Sequence, residues 1–232
     1  MSGRQVKSKQ RVADHGEVFT AEREVKAMCD LVKDECERID SSFLEPACGD
    51  GNFLAEILTR KLSTVKKLYK SNPYDYERYA VLAAASIYGV ELLADNAEEC
   101  RKRLFALWDK EYTAVCKKEA NDETREAVRY ILSKNILCGN ALTLMCVDEE
   151  QNDTDKPIIF PEWSLLGAKL KRRDFRLDVM LKVGDDPKTG QPSMFKDGVD
   201  DYLSVNPVTG ELMADPICEY PPTFFRKVQE NG

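Results

Sequence analysis

"FLEPACGDGNF", residues Phe43–Phe53, passes from two large apolar residues through an acid and a proline into two glycines separated by one residue. Beyond it Phe53, Leu54, Ile57, Leu58, Leu62, Val65 and Leu68 recur at the three- and four-residue spacing of one helix face. The stretch therefore predicts a short buried strand, a glycine turn and a helix. At the carboxyl end of a parallel strand, glycines let the backbone come close to a ligand while the next helix offers free N–H groups. The hydride-cofactor pattern wants a third small residue where Leu54 stands, and no Gly-Lys-Ser/Thr tripeptide of a phosphate loop follows. A cationic adenine nucleoside such as S-adenosylmethionine fits better. Glu45 and Asp50 can meet its ammonium or sulfonium region, and Glu91, ending the next predicted strand, can take both ribose hydroxyls.

Outward from that turn the chain alternates. Val25, Met28, Cys29, Val32, Cys36 and Ile39 predict a one-faced helix over 18–39 with Thr20 as its N-cap and Glu22 and Glu24 in its first turn. After "KSNPYD" come a Tyr/Ala-rich helix (Tyr76 to Ala85), the strand "SIYGVEL" and a long helix from Asp95, where Asp95 and Glu98 resemble a capping box. A helix from Asp122 to Ser133 leads into "NILCGNAL", a third strand. Strands alternating with helices predict an α/β fold with a mostly parallel, helix-covered sheet. Past Val147 the pattern changes: "DEEQNDTDKP" is a polar break, and six of the ten prolines lie in the last fifty residues. There Phe175, Leu177, Val179, Leu181 and Val183 alternate with Arg, Asp, Met and Lys as in a half-solvated strand, and hairpins or loops with little core are expected from Gly184 on. The expected organisation is a flexible 1–13, a ligand-binding domain over 14–147 and a β/loop-rich extension over 148–232 that offers a partner-binding region.

The 232 residues, 43% apolar, can bury one good-sized core. No run approaches the ~18 apolar residues of a membrane span, and the basic N-terminal stretch lacks an apolar signal core, so a soluble, cytoplasmic protein is expected, with no membrane partner. Eight scattered cysteines without a C-x-x-C pair, and a single histidine, predict reduced thiols and no metal site. A net charge of −7 gives no broad footprint for nucleic acid.

"HGEVFT" ahead of "FLEPACGDGNF", then "IYGVEL" and "ILCGNAL", resembles the N-terminal half of the N6-adenine DNA methyltransferases of bacterial restriction-modification systems, in the gamma-type motif order. The resemblance covers about residues 14–142. It implies a Rossmann-like, S-adenosylmethionine-dependent methyltransferase fold, with methyl transfer by direct attack of adenine N6 on the sulfonium carbon. By this resemblance Phe19 and Thr20 hold the methionine part of the cofactor. Glu45, Pro46, Ala47, Cys48, Gly49, Asp50, Gly51 and Phe53 form the first cofactor loop, and Glu91 and Leu92 contact ribose and adenine. Asn140 and Ala141 stand where the family often has an aspartate that reads the adenine amino group; the amide is a departure, as is Ala21 where proline is common.

No Asn/Asp-Pro-Pro-aromatic loop, which in that family holds the flipped base, occurs in the chain. The near misses are "SNPYD", "SVNPVTG" and "EYPPTFF", and no catalytic residue is assigned. The expectation is a cofactor-binding subunit whose acceptor loop and double-stranded DNA target recognition come from a second chain. Two other readings stand beside it: a non-catalytic regulator or decoy, and a methyltransferase acting on RNA or protein. For single residues the plain readings are a ligand-free turn at "EPACGDG", an exposed acid near a helix start at Glu91 and a turn-forming amide at Asn140. His15 is expected to be a local hydrogen-bonder, Cys48 a small packing residue, Trp108, Tyr76 and Tyr79 core, and "KLKRRDFR" (Lys169 to Arg176) either a phosphate contact or a solvated face.

Overall fold

A computed structural model describes residues 20–184 and 200–231. The expected flexible segment 1–13, His15 and Phe19 lie outside the described residues.

Parallel pairing begins at the quoted stretch. Strand β1 (Phe43–Glu45) runs beside β2 (Ile87–Glu91) with Phe43 opposite Ile87 and Glu45 opposite Gly89. β2 runs beside β3 (Ile136–Asn140) with Glu91 opposite Cys138. All five β2 residues are buried, as expected of a parallel strand covered on both faces. Two antiparallel strands, β4 (Met145–Val147) and β5 (Asp153–Pro157), complete a five-stranded sheet of order β1-β2-β3-β4-β5. The architecture is α/β with a mixed sheet, parallel only over its first three strands, and the 147/148 boundary falls between two paired strands.

Helices α1 (Glu22–Leu31) and α2 (Lys33–Glu37) precede β1, α3 (Asn52–Tyr69) and α4 (Pro73–Ala85) connect β1 to β2, and α5 (Ala94–Cys116) and α6 (Asp122–Asn135) connect β2 to β3. The single helix predicted over 18–39 is broken at Val32, whose φ of −122° and ψ of 40° are not helical. Its halves are held at different points of α3: Arg60 pairs with Asp30 and donates to the Lys26 carbonyl, while Lys61 reaches the segment after α2. Ala21, not Thr20, is the N-cap residue of α1, and no side chain caps it. Nor do Asp95 and Glu98 form a capping box: Leu93 stands at the N-cap of α5, and Glu98 pairs with Arg101 and Lys102.

The Ala-rich run of α4 lets α3, α5 and α6 approach closely, and Tyr76 and the four alanines 80 and 83–85 are all buried. On α4, buried Glu77 accepts hydrogen bonds from Tyr112, Asn121, Thr124 and Arg226, joining α5, α6 and the C-terminal segment. Trp108 lies in the same core, whereas Tyr79 is half-buried and stacks on Tyr69.

Beyond β5, β6 (Ile159–Leu166), β7 (Lys169–Arg176) and β10 (Cys218–Phe224) form an antiparallel sheet of order β10-β7-β6, and β8 (Leu203–Val205) pairs with β9 (Leu212–Ala214) as a hairpin. The half-solvated strand expected over 175–183 is corrected: β7 stops at Arg176 and Leu177–Gly184 is helix α7. Leu177, Asp178 and Val179 are consecutively buried, which does not fit a half-solvated strand. Asp178 takes both the Arg176 guanidinium and the Val179 N–H, so the chain turns where the pair forms. Of the stretch after Gly184, 185–199 lie outside the described residues; among the described residues beyond them the β8–β9 hairpin is found, and only two residues are buried. Phe225 and Val228, in the 3₁₀ turns Phe225–Asn231, join Phe160, Trp163, Leu170 and Leu177 in one hydrophobic core with the parallel strands.

One buried cation fixes the entry to β1. The Lys61 ammonium is fully buried and donates to the carbonyls of Arg38, Ile39 and Ser41 at 2.7, 3.1 and 2.6 Å. Lys61→Met leaves three acceptors without their donor and is expected to cost about 3 kcal/mol in chemical denaturation; a loss below about 1 kcal/mol contradicts this role.

Candidate functional site

Because β1, β2 and β3 are parallel, their carboxyl ends Glu45, Glu91 and Asn140 emerge at one end of the sheet, β2 and β3 each extending two residues past the last pair with the strand before. A cleft of about 470 Å³ opens there, within the range of small-ligand sites. Of the sequence-predicted residues, Thr20, Glu45, Pro46, Ala47, Cys48, Gly49, Asp50, Phe53, Glu91, Leu92, Asn140 and Ala141 line it. Phe19 lies outside the described residues. Gly51 does not line the cleft: it is the N-cap of α3 with φ +88°, and a Cβ there would stand 2.7 Å from Cys100 Sγ on α5. Its lack of a side chain serves helix approach and the left-handed turn.

Glu91 is 8% exposed, so it is not the exposed acid of its plain reading. One carboxylate oxygen accepts the Gly49 N–H at 2.9 Å. The other accepts the Leu93 N–H at 3.0 Å and faces Asn96 Nδ2 at 3.4 Å. Three N–H groups thus hold a buried anion at the mouth of the cleft, joining the loops after β1 and β2. Gly49 has φ +54°, the left-handed conformation that turns its N–H toward that carboxylate. Glu45 is half-buried, and desolvation pushes its carboxyl above the usual range, with the Ala47 N–H opposing the shift. Asp50 pairs with Arg103 of α5 at 3.3 Å, and Arg103 also donates to Asn52 Oδ1 at 2.8 Å.

The lining thus carries three carboxylates, from Glu45, Asp50 and Glu91, and no lysine or arginine among the described residues. Arg103 offsets Asp50 from outside the lining, so Glu45 and Glu91 carry the wall's negative charge, which disfavours phosphate-bearing ligands and favours cations. Phe53, Leu92, Ala141 and Leu142 add apolar surface for a flat ring, Leu142 at 82% exposed. Asn140 makes the local turn of its plain reading: Oδ1 accepts the Leu142 N–H and Nδ2 donates to Asp153, each at 3.0 Å. Contact with Cys100, followed by burial, raises the Cys48 thiol far above its ordinary value, so it is protonated and a poor nucleophile.

Sequence reasoning missed Asn52, Leu93, Asn96, Gly139 and Leu142, which also line the cleft. Asn52 and Leu142 are immediate neighbours of motif residues, and that adjacency was the available signal. Asn96 carried none: it comes in from the first turn of α5, five residues past Glu91.

The three near misses of the acceptor loop have structural roles. Asn72 caps α4 with Pro73 at the first helical position. Asn206 accepts the Val208 and Thr209 N–H groups in the β8–β9 turn, and Pro221 and Pro222 sit at an irregularity in the β10–β7 register. The basic run of β7 is largely neutralised within the chain. Lys171 pairs with Glu219, Arg172 with Asp174, Arg173 with Glu162 and Arg176 with Asp178. The described residues hold no cluster of three potential metal ligands and no helix long and apolar enough to cross a membrane.

No protein-family model, no curated protein and no solved structure matches the chain.

Gly51→Ala places a Cβ against Cys100 in a left-handed backbone and is expected to lower stability by about 2 kcal/mol, seen in thermal unfolding. An unchanged midpoint contradicts the helix-approach role.

Proposed function

We propose that the chain is the S-adenosylmethionine-binding subunit of an adenine-specific DNA N6-methyltransferase of the restriction-modification type, working in the cytoplasm with a second chain that carries the acceptor loop. The observation that carries this reading is the cleft at the ends of three parallel strands, with three carboxylates and no basic side chain in its lining. A Rossmann-like methyltransferase arrangement of the parallel strands is part of the proposal.

The residues present fit the cofactor. The Glu91 oxygens keep acceptor capacity for two ribose hydroxyls beside the N–H groups they already hold. Phe53, Leu92 and Leu142 suit the adenine ring, and Glu45 and Asp50 suit the ammonium and sulfonium end. When bound, S-adenosylmethionine supplies an electrophilic methyl group. The chain's own residues hold and orient it, so catalysis rests on positioning and electrostatics.

Three observations support a partner. The sequence lacks the base-holding loop, and its near misses are engaged in structure. The β7 cations are mostly paired, in a chain of net charge −7, so DNA phosphates need another source of positive charge. Among the described residues β1 is an edge strand with only β2 beside it, and Leu44 on β1 and Met28, Leu31 and Val32 at α1 are exposed. A strand added parallel to β1 ends beside Glu45, at the mouth of the cleft.

Calorimetric titration with S-adenosylmethionine is expected to give a single site, lost on Glu91→Ala, while ATP gives no heat. Absence of binding by the native chain contradicts the reading. Affinity is expected to weaken as pH falls through the elevated titration of Glu45, because protonation removes the charge that faces the cation. Mixing with a chain bearing an Asn-Pro-Pro-Tyr loop is expected to give methyl transfer to DNA adenine; full activity of the isolated chain contradicts the division between subunits.

A further inference from the structure

Glu91 is oriented mainly by two backbone donors, and both belong to loops that border the cleft. Gly49 lies in the turn after β1 and Leu93 immediately before α5. A ligand bound between those loops would press on the very groups that hold the carboxylate. Only one side chain among the described residues is hydrogen-bonded to Glu91 from a helix, the element least able to move with a loop. Asn96, in the first turn of α5, is 1% exposed, lines the cleft and directs Nδ2 toward the same oxygen that accepts the Leu93 N–H. Its contact is long, at 3.4 Å, against 2.9 and 3.0 Å for the backbone donors. It therefore acts as a brace on the carboxylate plane, adding little strength when both backbone bonds are made.

We propose that Asn96 is a positioning residue that keeps the two oxygens of Glu91 turned toward the cleft, so that the site distinguishes a ligand with two vicinal hydroxyls from one with a single hydroxyl. This rests on the reading of the cleft as a ribonucleoside site. The physical basis is that a carboxylate rotated about its last bond offers one oxygen to the ligand and buries the other. It then accepts from one hydroxyl as well as before and from the second not at all. Asn96 opposes that rotation from a rigid element, and being neutral it does so without cancelling the negative charge of the wall.

The test uses the full chain with adenosine, 2′-deoxyadenosine and S-adenosylmethionine as probes, and compares the native protein with Asn96→Ala and, should that variant fold poorly, Asn96→Ser. The native chain is expected to prefer adenosine over 2′-deoxyadenosine. Asn96→Ala is expected to bring that ratio close to one and to weaken S-adenosylmethionine about tenfold. A variant that merely loosens α5 lowers the unfolding midpoint and weakens both nucleosides equally, so an unchanged ratio overturns the proposal. Should the native chain bind none of the three probes, the ribonucleoside reading fails, and hydrogen exchange at the Gly49 and Leu93 amides still decides the positioning role. Exchange at both is expected to speed up several-fold in Asn96→Ala, and unchanged exchange overturns it.

Discussion

The carboxylate of Glu91 is the constraint on which the cleft depends. A buried anion is costly unless N–H groups surround it, and here Gly49, Leu93 and Asn96 supply them. Two of those donors are backbone groups of the loops that leave β1 and β2, so satisfying one charge fixes both loops. The strand carrying it cannot shift to relieve the demand, because every residue of β2 is buried between β1 and β3. Glycine at 49 follows from the same requirement, since its left-handed backbone turns the amide toward the acid.

A second group of buried polar residues holds the sheet in place. Lys61 gathers three carbonyls at the entry to β1. Asn135 donates to the Ala85 and Ile87 carbonyls while accepting from Trp163, so α6, β2 and β6 meet at one amide. Glu77 binds Arg226 from the far end of the chain. These groups are engaged deep in the structure, away from the cleft that Glu45 and Glu91 line.

Much of this was legible in the sequence, where local pattern and final environment agree. The three parallel strands, the glycine turn and the helices that follow came from periodicity and turn chemistry, although β1, expected to be buried and to run to Pro46, ends at Glu45 with Leu44 exposed. What escaped depended on contacts between distant segments. The break at Val32 follows from Arg60 and Lys61 gripping the two halves separately. A local contact also escaped: residues 177–183 alternate like a strand, yet the chain turns into a helix where Arg176 pairs with Asp178. Phe225 and Val228 reach the core on either side of Arg226, which is anchored to Glu77 far away in the sequence. Within the cleft, the motif residues themselves were found, but their neighbours Asn52, Leu93, Gly139 and Leu142 were not. Nor was Asn96, because helix geometry and not spacing brings it to Glu91, and Gly51 proved to serve the packing of α3 on α5.

The proposed account therefore describes half of a methyl-transfer site: an acidic cleft for a cationic nucleoside, beside a parallel strand, β1, that has no second neighbour among the described residues and at which an acceptor-bearing chain can join. Its central claim is tested most directly by a crystal structure of the chain grown with saturating S-adenosylmethionine. The account predicts that both ribose hydroxyls meet Glu91 and that the charged end lies within about 4–6 Å of Glu45 or Asp50. A cleft without the compound, or a compound whose ribose lies away from Glu91, contradicts it.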